Sequence, residues 1–223
     1  MLLIIANKNY SSWSMRPWLV LEHFNIPFNE QTVLLKKDDS IKQISELSKN
    51  ALGTVPILIL EENDNFVIQD SLAICEYLAD AYPHLNILPK NTLDRAKARS
   101  VIAQMHSSFT TLRQIYNMNI RRLPKPSDKT LRENNPKLDT DIRCIEEIWT
   151  NLLSNNKNQA YLFGDFSMAD AFFAPVVTRF YSYGVEVNDV CQEYMHRIVN
   201  TPAVKKWIDL AKQENEIIHE YEV

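Results

Sequence analysis

Short apolar runs alternate with amphipathic stretches over the first third of the chain. The run LLIIA at 2–6 has no polar residue and predicts a buried strand. Further strands are predicted over 28–35, 55–60 and 65–69. Apolar positions at helical spacing predict helices over 14–24, 40–48 and 71–82, with Pro17 in the first turn of the first one. The order β-α-β-α-β-β-α indicates a small mixed sheet with helices packed on it.

The pattern changes after residue 82. Pro83 is expected to end the third helix, and the proline-containing segment 83–91 is predicted to be a linker. From 92 onward no segment is typical of a strand. Helices are predicted over 92–119, 137–154, 168–183, 189–199 and 202–213. The sequence therefore predicts an α/β domain at 1–82 and an all-α domain at 92–223.

Composition narrows the class of function. The net charge of −4 gives no electrostatic reason to bind nucleic acid or an anionic membrane surface. Apolar runs are far shorter than a membrane helix requires, and no secretory signal is recognisable at the N-terminus. Three widely spaced cysteines predict neither a disulfide framework nor a zinc site, so we expect a cytoplasmic protein without a metal. Only three glycines are present, which excludes a phosphate-binding glycine loop.

The stretch NYSSWSMRPW at 9–18 gathers hydroxyl groups where the first strand gives way to the first helix. A hydroxyl at a helix N-terminus can donate a hydrogen bond to an anion, and a thiolate held in this way has a lowered pKa. The alternative is that Ser11, Ser12 or Ser14 simply caps the helix. Cysteines are missing from this turn, so thiol–disulfide exchange by the chain itself is not expected.

Two further segments leave alternatives open. If the Val55–Pro56 bond is cis, the backbone of Val55 can pair with an extended peptide ligand; otherwise Pro56 only marks the entry to a strand. Asp70 and Ser71 precede a predicted helix. They can cap that helix, or they can hold the ammonium and carboxylate of an α-amino acid group.

Four segments, in this order along the chain, resemble the soluble glutathione transferase family. YSSWSMRPWL (10–19) resembles its serine-type active-site segment, particularly the zeta-like pattern SSCSWR, with Trp13 in place of the cysteine. GTVPILIL (53–60) and QDSLAICEYLADAYP (69–83) resemble the glutathione-binding segment. FGDFSMADAFFAPVV (163–177) resembles the capping motif of the helical domain, in which Ser167 and Asp170 fit a capping box. The resemblance covers nearly the whole chain and implies a thioredoxin-like N-terminal domain.

The resemblance also implies roles for individual residues. Ser11 takes the place of the catalytic hydroxyl that contacts the glutathione sulfur, with Ser12, Ser14 and Tyr10 as alternates. The glutathione-binding positions that it implies are Thr54, Val55, Pro56, Asp70 and Ser71. The pocket for the electrophile is expected on the first long helix of the second domain, where His106, Phe109, Thr110 and Arg113 fall at helical spacing. Core packing is the alternative role for Phe109, and hydrogen-bonded structural support is the alternative role for His106.

Three functions remain open on the sequence. The first is a glutathione transferase that presents the glutathione thiolate to a small electrophilic substrate, a reaction used in detoxification. The second is a glutathione-dependent isomerase of the maleylacetoacetate isomerase kind. The third is a ligand- or protein-binding member of the fold without catalysis. A homodimer is what the resemblance implies for the assembly, with glutathione as co-substrate and no metal.

Overall fold

The computed structural model describes residues 1–36, 39–48, 53–122, 129–154 and 160–222. Over the first third the predicted order β-α-β-α-β-β-α is confirmed. The strands are β1 (Leu2–Ala6), β2 (Asn29–Val33), β3 (Ile57–Leu60) and β4 (Phe66–Gln69). The helices among them are α1 (Ser12–His23), α2 (Ser40–Ser48) and α3 (Ser71–Ala81).

The four strands form one mixed sheet in the order β2-β1-β3-β4. Strand β1 is parallel to β2 and antiparallel to β3, and β3 is antiparallel to β4. Successive residues of β1 point to opposite faces, as strand geometry requires. Leu3 and Ile5 join the large core, whereas Ile4 packs with Ile44 of α2 in a smaller cluster. Both faces of the sheet are therefore buried, which explains why β1 reads as a continuous apolar run.

The regular elements in the rest of the described chain are helices, apart from two isolated bridges within 161–165. A 3₁₀ turn at Pro83–Leu85 follows α3. The helices are α4 (Thr92–Ser107), α5 (Thr110–Ile115), α6 (Lys129–Asn134), α7 (Pro136–Ser154), α8 (Met168–Tyr183), α9 (Asp189–Asn200) and α10 (Pro202–Gln213). A second 3₁₀ turn lies at His219–Tyr221. The division into domains at 83–91 stays a prediction.

Helix α8 is the centre of the helical part. All of its residues except Tyr181 are buried, and it packs against both α1 and α4. The predicted capping box at its start is present. The Ser167 hydroxyl accepts from the backbone N–H of Asp170, and the Asp170 carboxylate accepts from the backbone N–H of Ser167. Because α8 touches α1, its side chains reach the end of the sheet where Ser11, Ser12 and Ser14 form a serine cluster.

Two details of the predicted helices are wrong. The helix predicted over 92–119 is broken at Ser108 and Phe109, where Phe109 has a left-handed φ of 57°. One local contact and one distant in sequence hold this break: Arg113 Nη1 donates to the carbonyl of His106, and the Asp141 carboxylate on α7 accepts from Leu112 N.

Pro17 is the second correction, because it lies in the interior of α1 rather than in its first turn. The helix begins at Ser12, earlier than the apolar pattern indicates, since Ser11 caps it by accepting from Ser14 N. The proline removes the N–H that would otherwise bond to the carbonyl of Trp13.

Candidate active site

The serine cluster fastens the start of α1 to the end of β1. Ser14 Oγ accepts a hydrogen bond from Ala6 N at 3.1 Å and another from Ser11 Oγ at 2.8 Å. Ser11 Oγ also accepts from Ser14 N at 3.3 Å, and Ser11 is 6% exposed while Ser14 is fully buried. The capping role that the sequence left open is therefore present at Ser11.

Ser12 has a different environment. Its Oγ accepts a hydrogen bond from Nη2 of Arg179, at 3.0 Å. Arg179 comes from α8 and is buried, and its other nitrogens donate to two backbone carbonyls: Nε to Tyr116 O at 2.7 Å and Nη1 to Pro175 O at 3.2 Å. Burial lowers the pKa of Arg179 to about 10, so the guanidinium stays protonated at neutral pH.

A cavity of about 350 Å³ opens beside this cluster. The described residues that line it are Tyr10, Ser11, Ser12, Trp13, Leu35, Gly53, Thr54, Val55, Arg113, Asn117, Met118, Arg179 and Tyr221. Two of these are arginines and none is acidic. The cavity therefore offers hydroxyl groups and positive charge to whatever enters it, which favours an anion.

Of the predicted glutathione-binding residues, Thr54 and Val55 line this cavity together with the serines. The Val55–Pro56 peptide bond is cis. Pro56 is buried and stands directly before β3, outside the cavity lining.

Asp70 and Ser71 lie at the start of α3 and do not line the cavity. Asp70 is the N-cap: its Oδ1 accepts from Leu72 N at 2.7 Å and from Ala73 N at 3.3 Å. Its other oxygen, Oδ2, lies 3.4 Å from Nε2 of His106. Half of the Asp70 side chain is exposed, so its charge remains accessible to a ligand.

Trp13 connects the cavity with the start of α3. Arg16 lies over its ring at 4.2 Å and Arg113 at 5.4 Å, while His106 meets it edge-on at 5.2 Å. Arg16 Nη1 donates to the buried Ser71 hydroxyl at 3.3 Å. Burial, followed by the charges of Arg179 and Arg113, lowers the pKa of Arg16 to about 9. The guanidinium groups of Arg113 and Arg16 thus lie in a row between the cavity and the start of α3.

Tyr10, the predicted alternate to the serines, anchors the C-terminal segment. Its hydroxyl accepts from Ile218 N at 3.2 Å and from Arg121 Nη2 at 2.9 Å, and it donates to the Glu222 carboxylate. The ring of Tyr10 also contacts Tyr221, 5.7 Å away. These bonds occupy the hydroxyl, although one side of Tyr10 lines the cavity.

The residues predicted for the electrophile pocket are brought together only in part: the side chains of His106 and Arg113 both contact the ring of Trp13. Arg113 lines the cavity. His106 lies near the end of α4 between Trp13 and Asp70, and burial lowers its pKa more than Asp70 raises it. Phe109 is 5% exposed and belongs to the core, whereas Thr110 is exposed at the start of α5.

Sequence reasoning missed Arg179, Asn117 and Tyr221. The first had a visible signal, because Arg179 is the only charged residue between Asp170 and Glu186 in a strongly apolar stretch. A charge at such a place is rarely buried without a polar partner. Asn117 and Tyr221 carry no local signal, since their positions depend on the path of the chain after α5 and after α10.

Comparison with known proteins agrees with this geometry. The sequence profile of the glutathione S-transferase N-terminal domain matches residues 10–81. A probable maleylacetoacetate isomerase of Caenorhabditis elegans is 31% identical over 108 residues, 48% of this chain and 47% of that protein. The chain thus aligns with about half the length of that relative. Glutathione S-transferase 1 of Dianthus caryophyllus is 24% identical over 212 residues, 91% of this chain and 92% of that protein.

Among solved structures, a Burkholderia glutathione transferase homologue with bound glutathione superposes with a TM-score of 0.71. The match covers 96% of this chain and 98% of that chain at 24% identity, a level that speaks for the fold alone. The fold is the one that glutathione transferases have, a thioredoxin-like α/β unit followed by helices. Residues 10–81 thus match the N-terminal domain of the glutathione S-transferases, and the chain is similar to a member of that family over most of its length. Within the described residues, none of the helices has the length and apolar character needed to cross a bilayer.

Proposed function

We propose that the protein binds glutathione, keeps its sulfur ionised near neutral pH, and presents the thiolate to a small electrophilic substrate. One observation carries the proposal: Ser11, Ser12, Thr54, Val55 and two arginines line one cavity, and none of the described residues that line it is acidic. Such a cavity favours the ionised form of a thiol. A one-unit fall in the thiol pKa corresponds to about 1.4 kcal/mol.

The tripeptide is proposed to lie along the edge of the α/β part, residues 1–82. Its cysteinyl portion would pair with the backbone of Val55, between Thr54 and Pro56. Its γ-glutamyl end would reach Asp70 and Ser71, where an ammonium group meets the Asp70 carboxylate and a carboxylate meets the positive end of the α3 dipole beside Ser71. The chain of guanidinium groups beside Trp13 supports this path, because it leads from the cavity to α3.

The co-substrate is proposed to enter between this part and the helices of 92–223, with Arg113 at the cavity and His106 nearby. Two reactions are compatible with the site. In conjugation, the thiolate attacks an electrophilic carbon and displaces a leaving group. In isomerisation, it adds to a cis double bond, the new single bond rotates, and elimination of the sulfur regenerates glutathione. The two arginines in the cavity favour an acidic co-substrate, which supports the isomerase alternative.

Two further proposals concern the setting of the enzyme. The three cysteines are free thiols, which fits a reducing compartment such as the cytoplasm. Phe66 on the edge strand β4 and Leu93 at the start of α4 are 61% and 80% exposed, and exposed apolar side chains of this size fit a homodimer.

The proposal is tested by calorimetric titration with glutathione, followed by two activity assays. One follows conjugation of a chlorodinitrobenzene and the other follows isomerisation of maleylacetoacetate. Saturable glutathione binding with turnover in either assay supports the proposal, and the assay with turnover identifies the reaction. Absence of glutathione binding would refute it.

A further inference from the structure

Ser11 and Ser12 face the same cavity, but their hydroxyl protons are used differently. A serine hydroxyl has one proton to donate. The Ser11 proton is directed to Ser14 Oγ at 2.8 Å, and that bond helps to hold the start of α1. Donation from Ser11 to a ligand would require this bond to break. Ser12 instead accepts from Arg179, and none of the hydrogen bonds formed among the described residues uses the proton of the Ser12 hydroxyl.

Arg179 is a cation whose burial is not compensated by an anion. It is 4% exposed, and it takes part in none of the ion pairs formed by the described residues. Its hydrogen bonds go to two carbonyls and one hydroxyl. A buried charge without a counterion is costly, and an anion that enters the neighbouring cavity reduces that cost.

Among the described residues, the other charged and titratable side chains that line the cavity are an arginine and two tyrosines. Arg113 lines the cavity from α5, and Arg16 lies behind Trp13 on α1. Tyr10 and Tyr221 complete the set from the loop before α1 and from the C-terminal segment. Since no described acidic residue lines the cavity, the negative charge expected there comes from the ligands, the glutathione sulfur among them.

We propose that Ser12, with its oxygen held by Nη2 of Arg179, is the hydroxyl that hydrogen-bonds the glutathione sulfur, and that Arg179 is its positioning residue. This inference rests on the proposed function, since it assumes that glutathione binds in this cavity. On ionisation the S–H bond breaks, the proton passes to water and the electron pair stays on sulfur. Ser12 then donates its hydrogen bond to the thiolate, while the Arg179 guanidinium fixes the direction of that bond and stabilises the charge.

The test is a pH titration of the ultraviolet absorbance of the thiolate in the complex of the full chain with glutathione. Ser12→Ala is expected to raise the pKa of the bound thiol by about one unit or more, towards the usual value of about 8.5. The corresponding fall in kcat/KM at pH 7 is about tenfold or greater. Ser11→Ala is the matched comparison and is expected to raise the thiol pKa less than Ser12→Ala does.

Arg179 is tested with the same titration. Arg179→Met, which removes the charge, is expected to raise the pKa of the bound thiol, and Arg179→Lys, which keeps it, to restore part of the difference. A merely structural role would lower stability without moving the thiol pKa. If Arg179→Met does not fold, the comparison of Ser12→Ala with Ser11→Ala still decides the proposal. Ser12→Thr keeps the hydroxyl and is expected to keep most of the lowered thiol pKa that Ser12→Ala loses.

The outcomes separate this inference from the proposed function. If glutathione binds and its thiol pKa responds to Ser11→Ala more than to Ser12→Ala, the assignment of Ser12 is overturned while glutathione binding stands. Equal and small responses of both variants overturn it as well. If the parent protein does not bind glutathione, both proposals fail together.

Discussion

Asp70 has two separable roles, and one pair of substitutions distinguishes them. Its Oδ1 caps α3 by accepting from Leu72 N and Ala73 N, at 2.7 and 3.3 Å. Its negative charge is proposed to bind the ammonium group of glutathione. Asp70→Asn keeps an oxygen for the cap but removes the charge, whereas Asp70→Ala removes both. The two variants should therefore differ in stability and agree in their loss of affinity.

The magnitudes follow from the contacts. Asparagine caps a helix as well as aspartate, so Asp70→Asn should change the free energy of unfolding by less than about 0.5 kcal/mol. Asp70→Ala should lose about 1 kcal/mol for the cap. The positive φ of 77° at this residue adds to that loss, because asparagine and aspartate tolerate positive φ better than alanine. The carboxylate is half exposed and partly screened, so its ion pair is worth about 1 kcal/mol, a several-fold loss of glutathione affinity in both variants.

Urea unfolding and calorimetric titration with glutathione measure the two effects. Asn91 provides a control, because its Oδ1 caps α4 in the same way, with bonds to Leu93 N and Asp94 N of 2.8 and 3.1 Å. Asn91→Ala should cost about 1 kcal/mol of stability and leave the glutathione affinity unchanged. Parent-like affinity in Asp70→Asn would show that the charge has no part in binding and that Asp70 serves only as a cap.

Three further predictions concern other parts of the chain. Burial raises the pKa of Asp170 from its ordinary 3.8 to about 6, so below pH 6 the native state holds a proton that the unfolded chain holds only below about pH 4. The stability advantage of the parent over Asp170→Asn should therefore grow by about 1 kcal/mol between pH 8 and pH 5 in urea unfolding; no growth would contradict the burial argument. Tyr10→Phe leaves the buried Ile218 N–H without its acceptor, so it should lower the free energy of unfolding by about 1–3 kcal/mol and speed proteolysis of 214–222. Limited digestion followed by mass spectrometry measures the proteolysis, and an unchanged rate would contradict the role of Tyr10. Gly53→Ala places a Cβ 2.7 Å from Ile41 Cγ2 at a φ of +56°, so we expect a loss of about 1 kcal/mol or more in unfolding free energy, and an unchanged urea midpoint would argue against this backbone geometry.

Much of the fold could be predicted because its signals are local. The apolar run of β1 reports burial on both faces, and the helices α7 to α10 follow from apolar spacing within single segments. The capping box of Ser167 and Asp170 spans one helical turn, so the sequence alone contains all of its parts. The same holds for the hydroxyl groups placed at the start of α1.

The break between α4 and α5 could not be predicted, because no glycine or proline marks it. Phe109 takes a left-handed conformation that an aromatic residue rarely adopts, and it does so where its side chain enters the core. Asp141 on α7 and Arg113 on α5 hold the ends of the two helices. This break places His106 and Arg113 on different helices, although both side chains still contact the ring of Trp13.

The sequence by itself determined the order of the elements, the helix caps and the presence of serines where the first strand meets the first helix. Only the tertiary structure decided which of those serines has a buried cation beside it and a hydroxyl proton that no hydrogen bond among the described residues uses. Ser12 and Arg179 are 167 positions apart, and their contact exists because α8 packs against α1. Periodicity and capping report on neighbours within a few residues, whereas the charge that acts on a hydroxyl is set by whatever the folded chain brings within a few ångströms of it.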